Sequence, residues 1–302
     1  MIPAAWSDPL WSYLWQVALH ASVLGLILYV WVHRLGLPSG GTRRRLLALL
    51  LVLPMMTAAV PGRTGVHFAE QWAWLNSARL LAVPLVGDLR VHHLVLAAGL
   101  LMTLVTIWQE LSLALRRPKA STDDVPAALL RMVRERPGWE HCVVAISPAG
   151  SILVATSGVP GRPRLIASRG ALETLTDTDL AIVVAHEHAH WQRDRWWRLH
   201  GLFVVRLLQC YHPAALWAFR EYCLEVEVEC DAAAVAGRDP HALARVLMRV
   251  YHGTDAHDVA ARAALRKRVD VLIGPGPVDA GVPPATLATV AVVMLLVLPW
   301  LV

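Results

Sequence analysis

The chain has 302 residues, of which 56% are hydrophobic and only 17% are charged, whereas an ordinary soluble domain carries about 25% charged residues. This shortage of charge argues against a soluble globular protein and favours one that lies partly in a lipid bilayer. The net charge of +5 does not indicate direct nucleic-acid binding, because the sequence contains no basic stripe interleaved with aromatic residues.

Long segments without Asp, Glu, Lys or Arg indicate membrane-spanning helices. Residues 9–32, 91–109 and 281–302 are such segments, and each is close to the roughly 20 residues that cross a bilayer core. A shorter apolar segment contains Pro54, which a membrane helix tolerates when neighbouring groups satisfy the freed carbonyl. We therefore predict four transmembrane helices, at about 10–33, 44–62, 92–114 and 283–302.

Basic residues are concentrated in the loop 34–45 and at the start of the segment 116–282. Because cytoplasmic loops carry an excess of lysine and arginine, we expect both regions to face the cytoplasm and the N-terminus to face outside. The sequence thus predicts a multi-pass protein of a bacterial cell membrane. Its membrane domain comprises residues 1–115 together with the last helix, 283–302.

The segment 116–282 has the pattern of a small α+β domain inserted between the third and fourth membrane helices. Short β-branched runs between residues 142 and 168 predict a small sheet. Thr176 and Asp179 fit a capping box that starts a long helix, and further helical segments follow, with 196–220 as a helix or a helix pair. The overall prediction is a mainly α membrane protein with a cytoplasmic α+β domain.

The long helix carries the sequence VVAHEHAHWQRDR, residues 183–195. At about 100° per residue, His186, Glu187 and His190 share one face with Asp194, while His188 points away toward solvent or a partner. Two imidazoles four residues apart can bind one zinc ion, and the glutamate between them can act as a general base. Asp194 is a candidate to support a ligand.

A catalytic zinc needs a third protein ligand, and the segment REYCLEVEVECDAAAVA, residues 220–236, is rich in carboxylates. Glu227 and Asp231 are four residues apart and share one helix face. In such a pair one carboxylate can bind metal while the other orients a ligating histidine. A solvated acidic helix would explain the remaining glutamates, and spacing alone does not choose among the four, which are Glu221, Glu225, Glu227 and Glu229.

The segments RPRLIASRGALETLTDTDLAIVVAHEHAHWQRDR and CYHPAALWAFREYCLEVEVECDAAAV resemble the BlaR/MecR-type membrane zinc metallopeptidases, which are antirepressor peptidases. The final E-x-x-C-D motif of that family matches Glu227 to Asp231. The resemblance implies Glu227 as the third ligand beside His186 and His190, Asp231 as the group that supports a ligand, and one Zn²⁺ per chain. It also implies a signalling role in which a cytoplasmic transcriptional repressor, or the chain itself, is cleaved.

The antibiotic sensors of that family carry an extracellular penicillin-binding domain after the last span, whereas this sequence ends at Val302. We therefore expect no β-lactam sensing. A homodimer and a separate sensor subunit remain open as partners beside the lipid bilayer.

The expected reaction is metal-assisted peptide hydrolysis with Glu187 as general base. A strand within 143–157 or 163–167 is expected to hold the substrate by β-addition. His212 and Tyr222 are candidates to stabilise the oxyanion.

Two alternatives stay open. An HtpX-like or CAAX-type membrane protease, acting in quality control or processing, shares HExxH and a downstream E-x-x-x-D. The Cys230–Asp231 step and the domain placed before a last span favour the BlaR/MecR type instead. A non-catalytic membrane receptor with structural zinc would need a fourth protein ligand.

Overall fold

The computed structural model describes residues 7–34, 40–59, 84–87, 89–115, 120–159, 161–193, 196–253 and 259–274. Three long helices lie where the first three spans are predicted: α1 (Ser7–His33), α2 (Gly41–Ala59) and α3 (Val91–Leu115). Among the described helices, the segment Gln16–His33 is long and apolar enough to cross a membrane, and Ala97–Trp108 is apolar but shorter. The fourth predicted span, 283–302, lies outside the described residues.

Helices α1 and α2 pack side by side through leucines. Leu24 and Leu28 of α1 meet Leu47 and Leu51 of α2 in one buried cluster. Helix α3 instead exposes much of its apolar surface, including Leu100 and Leu104. A short hairpin of β1 (Pro84–Val86) and β2 (Leu89–Arg90) precedes α3.

The following segment begins with α4 (Ala127–Arg134) and a three-stranded sheet. The strands are β3 (Val143–Ser147), β4 (Val154–Val159) and β5 (Arg162–Ser168), in the order β3-β5-β4. Strand β5 lies in the centre and runs parallel to β3 and antiparallel to β4. Because β4 is the last strand in this order, it is an edge strand. Gly158, near the end of β4, has a φ of +121°, and a Cβ there would clash with the Arg162 carbonyl oxygen, so this position needs glycine.

Six helices complete the described fold, which confirms a mainly helical chain with a small sheet. They are α5 (Arg169–Thr174), α6 (Asp177–Arg193), α7 (Trp196–Leu208), α8 (Pro213–Ala234), α9 (Pro240–Gly253) and α10 (Val259–Ile273). Of the two possibilities left open for 196–220, a single helix or a helix pair, the structure shows a pair that breaks at 209–212, and its second helix continues to Ala234.

The predicted capping box at the start of α6 is present. The Thr176 backbone N–H donates to Asp179 Oδ2, and the Asp179 N–H donates to Thr176 Oγ1, each at 3.2 Å. These bonds satisfy backbone donors that have no partner within the helix. The capped helix contacts α8, α9 and the edge strand β4, and its His186 and His190 line the cleft among these elements.

Candidate metal and catalytic site

Helices α6 and α8 bring His186, His190 and Glu227 together. His186 Nε2 and His190 Nε2 are 3.1 Å apart. Glu227 reaches both rings, with Oε2 3.4 Å from His186 Nε2 and Oε1 3.2 Å from His190 Nε2. These ligand atoms all lie within 4.8 Å of one another, so one ion can contact all three side chains.

Asp231 lies one helical turn beyond Glu227, behind the first histidine. Its Oδ1 is 2.9 Å from His186 Nδ1, and its side chain is only 2% exposed. This contact fixes the imidazole with Nε2 toward the cluster. The structure therefore places both members of the predicted Glu227–Asp231 pair where a ligand and its supporting group would stand.

Arg268 of α10 completes the site. Its Nε and Nη2 donate to Asp231 Oδ2 and Oδ1, each at 2.7 Å. Its Nη1 lies 2.8 Å from Glu227 Oε2. The guanidinium thus holds both carboxylates in place from one side. Arg268 could not be predicted from the sequence, because it lies 37 residues from Asp231 on an ordinary amphipathic helix with no motif around it.

The electrostatics of the cluster favour charged side chains. Burial raises the pKa of Glu227. Contacts with His186 and His190 and the charge of Arg268 lower this pKa by a larger amount, so the net shift is strongly downward. The pKa of Asp231 falls likewise, because its bonds to Arg268 and His186 outweigh burial. Burial lowers the pKa of His186, yet the two carboxylates raise it more. The carboxylates therefore stay ionised near neutral pH and can bind a cation.

Glu187 lies in the same cleft and is tied to the edge strand. The backbone N–H of Thr156 in β4 donates to Glu187 Oε2 at 2.7 Å. Alternate residues of an edge strand present their backbone groups outward, so Val154 and Gly158 face the cleft in the same way. The cleft has a volume of about 680 Å³ and is lined by residues 152–158, the cluster, and apolar side chains of α9 and α10.

Other candidate residues lie elsewhere. His212, 15 residues before Glu227, is about 22 Å away along α8 and contacts Ser22 of α1. Tyr222 is buried in the cluster between α8 and the apolar helices, and five helical positions turn it to the opposite face from Glu227. Neither is placed to stabilise an oxyanion. His200 of α7 does line the cleft, and no motif in the sequence indicates it. Asp194 lies outside the described residues.

His188 turns away from the cluster as predicted, but the expectation that it faces solvent or a partner is wrong. Its ring is buried, its Nε2 lies 2.9 Å from the Pro137 carbonyl oxygen, and it packs edge-on against Trp139. His188 therefore joins α6 to the turn that precedes the sheet.

The interpretation of the other glutamates as a solvated face is also wrong. Glu225 is fully buried and lies 3.2 Å from Arg43 Nε, while Glu229 lies 2.9 Å from Arg44. Glu221 pairs with Arg43 and with Lys267, which neighbours Arg268 on α10. One face of α8 thus holds the start of α2, and the other face carries Glu227 and Asp231.

Two imidazole nitrogens and one carboxylate oxygen, with a second glutamate in the same cleft, are the side chains of a metallopeptidase centre. A family model described as BlaR1 peptidase M56 matches residues 2–272, which is nearly the whole chain. The chain therefore belongs to this family of membrane metallopeptidases, and the predicted BlaR/MecR resemblance is confirmed. No curated protein matches the chain.

Proposed function

We propose that the chain is an integral membrane zinc endopeptidase that acts in regulated proteolysis. Its substrate would be a cytoplasmic transcriptional repressor, its own chain, or both. The observation that carries this proposal is the meeting of His186, His190 and Glu227 within 4.8 Å, in a cleft that also holds Glu187 and an edge strand.

The donor set fits zinc. Catalytic zinc sites use three protein ligands of the imidazole and carboxylate type and keep one position open. Among the described residues the cluster offers three such groups, which favours a catalytic centre over a closed structural site. His186, His190 and Glu227 would hold one ion per chain, and Asp231 would support His186. When bound, zinc supplies Lewis acidity that polarises the scissile carbonyl and favours ionisation of a water.

Glu187 would act as the general base, taking a proton from the attacking water and passing it to the leaving amine. The Thr156 N–H bond holds its carboxylate at the cleft wall. A substrate peptide would add to the outer edge of β4 as an extra strand through the backbone groups of Val154 and Gly158, which flank the Thr156 N–H that Glu187 occupies. The sequence predicts a substrate-binding strand within 143–157 or 163–167. Strand β4 begins within the first of these ranges but extends beyond it to Val159.

The proposed topology has four membrane helices and a cytoplasmic peptidase domain, 116–282, in a bacterial cell membrane. Helices α1, α2 and α3 support the first three spans by position. Large exposed apolar side chains on α1 and α3, such as Leu26 and Leu104, support contact with lipid. A peptidase fixed in the membrane reaches few substrates, which favours a regulatory role over bulk degradation.

The test compares the wild-type chain with Glu187→Gln, using Glu173→Gln as a matched control on the exposed surface of α5. Zinc is counted in detergent-purified protein, and new N-termini are identified by mass spectrometry in the cells that express each form. We expect about one zinc per chain in all three, and cleavage in the wild type and the control only.

The pattern of cleavage separates the alternatives. New N-termini confined to a repressor or to the chain itself support regulated proteolysis. A wide spread over many membrane proteins supports a quality-control or processing protease of the HtpX or CAAX type. Bound zinc without any cleavage that depends on Glu187 would favour the non-catalytic receptor.

A further inference from the structure

The turn between α7 and α8, residues 209–212, sits among the three apolar helices. Gln209 Nε2 donates to the Leu51 carbonyl oxygen of α2 at 2.7 Å. Cys210 Sγ lies 2.9 Å from Thr103 Oγ1 of α3. Two neighbouring residues of the turn thus bind two different helices of the predicted membrane domain.

The other two residues of the turn contact α1. His212 Nε2 lies 3.0 Å from Ser22 Oγ, and the Tyr211 hydroxyl donates to the Leu14 carbonyl oxygen at 3.5 Å. Every side chain of the turn therefore has a polar contact with α1, α2 or α3.

Three of the four helix positions that receive these contacts lie far from the membrane surfaces, whereas Leu14, which the long Tyr211 side chain reaches, lies near the outer end of its span. Ser22 is near the midpoint of the span 10–33, Leu51 is near the midpoint of 44–62, and Thr103 is at the midpoint of 92–114. Three independent spans therefore place the turn at the same depth, close to the centre of the bilayer.

Resting on the membrane topology proposed above, we infer that residues 196–220 form a re-entrant hairpin. It enters the bilayer from the cytoplasmic side along α7, turns at 209–212, and returns along the first turns of α8. Non-helical backbone at membrane depth occurs where protein groups satisfy it. Here the turn satisfies its own N–H groups through bonds such as Gln209 to Arg206 and His212 to Gln209.

Close packing seats the hairpin against α1. A Cβ on Gly25 would lie 2.7 Å from the Cβ of Ala214 at the start of α8, so only glycine allows this approach. Small residues at such crossings are typical of helices that pack in membranes.

Arg206 is the one charged residue within 199–219, and aromatic rings face it. Its guanidinium carbon lies 5.5 Å from the Phe203 ring centre and 5.3 Å from that of Phe219. Rings at such distances attract the cation, which lowers the cost of bringing an arginine below the membrane surface.

The outer side of the hairpin fits lipid acyl chains. Val204 and Leu208 of α7 are 53% and 54% exposed, and α7 packs on α3, whose Leu104 is exposed to the same degree, 55%. The apolar surface thus continues from the predicted span onto α7, and one hydrocarbon layer covers both.

The hairpin sets the depth of the metal site. Glu227 lies 15 residues beyond the tip, about 22 Å along α8, whereas half of the hydrocarbon core is about 15 Å thick. With α8 along the bilayer normal, the site lies at the level of the lipid headgroups. Its substrate must then present a segment close to the cytoplasmic membrane surface.

The test uses a nitroxide label at Leu208→Cys, and separately at Val204→Cys, in a full chain whose four native cysteines are replaced by serine. The protein is placed in phosphatidylcholine–phosphatidylglycerol vesicles. Collisions with oxygen, which concentrates in lipid, are compared with those of a water-soluble nickel chelate. Leu104→Cys serves as the membrane reference, and Val259→Cys, at 73% exposure, serves as the aqueous reference.

We expect labels at 204 and 208 to match Leu104→Cys, with oxygen strongly preferred over nickel. Labels that match Val259→Cys while Leu104→Cys stays in lipid would overturn the hairpin and leave the topology intact. Nickel access at Leu104→Cys as well would overturn the topology together with the hairpin. Labels shielded from both reagents would place another protein surface, not lipid, against α7, and would also overturn the inference.

Discussion

The pair of Asp231 and Arg268 provides the sharpest test of how the site is held together, because Asp231 is buried and most of the Arg268 side chain is shielded from solvent. Their exposed fractions are 2% and 13%, and two hydrogen bonds of 2.7 Å join them. Removing one member of a buried pair leaves the other charge unpaired, at a cost of about 3–5 kcal/mol. Arg268→Ala should reach the upper part of this range, since it withdraws a cation from both Asp231 and Glu227.

Asp231→Ala should cost less than Arg268→Ala, because the guanidinium keeps Glu227 at 2.8 Å. In the double variant no charge of the pair remains unpaired, so its cost should not exceed that of Arg268→Ala. Independent effects would instead sum to about 6–10 kcal/mol. At roughly 2–4 °C per kcal/mol, the single variants should melt about 6–20 °C below the wild type.

The assay is thermal unfolding of the metal-free protein in detergent, followed by tryptophan fluorescence. Arg266→Ala, on the exposed face of the same helix, is the matched control and should stay within about 0.5 kcal/mol of the wild type. Melting temperatures that fall additively in the double variant would refute the coupling, and an unchanged Arg268→Ala would refute the structural role of this side chain.

Three further predictions concern the general base Glu187, the helix cap at Asp179 and the buried His188. Thr156→Pro removes the N–H that holds Glu187 and should lower cleavage by up to about 100-fold while zinc is retained. Thr156→Ala keeps this N–H and should cleave at the wild-type rate. Equal cleavage rates in the two variants would contradict this role of the N–H. Burial raises the pKa of Asp179, but bonds to Thr176 and Arg249 lower it more. Its contribution to stability is therefore present at neutral pH and lost as pH falls through the lowered pKa, so the difference in melting temperature between wild type and Asp179→Asn should shrink in acid. A constant difference from pH 7 to 3 would refute this role. His188→Phe should destabilise the protein by about 1–3 kcal/mol without changing its zinc content, and loss of zinc would show that the residue acts on the cluster.

The parts of the site that lie within one helix could be predicted from the sequence, because helical geometry fixes which side chains share a face. That rule gave His186, Glu187 and His190 on one side of α6 and turned His188 away. It also paired Glu227 with Asp231 on α8. The family resemblance was needed to favour Glu227, since four glutamates share that helix.

The parts that depend on contacts between distant segments could not be predicted. Arg268 reaches Asp231 only because α10 packs against α8, and the spacing of residues along the sequence does not predict this contact. The periodicity of charged residues likewise does not distinguish a solvated acidic helix face from one that is buried against arginines. The arginine partners of Glu225 and Glu229 on α2 could therefore not be predicted. His212 and Tyr222 are a different case, because the length and rotation of α8 alone place them away from Glu227.

Removing and returning zinc shows most directly whether this chain cleaves peptides with a bound metal. The wild-type chain in vesicles is stripped of zinc with a chelator, and cleavage of its substrate or of the chain itself is measured before stripping, after it, and after zinc is returned. We expect cleavage to stop on removal and to recover with about one zinc per chain, but not to recover in Glu227→Gln. Cleavage that continues at the same rate in the stripped protein would contradict this expectation.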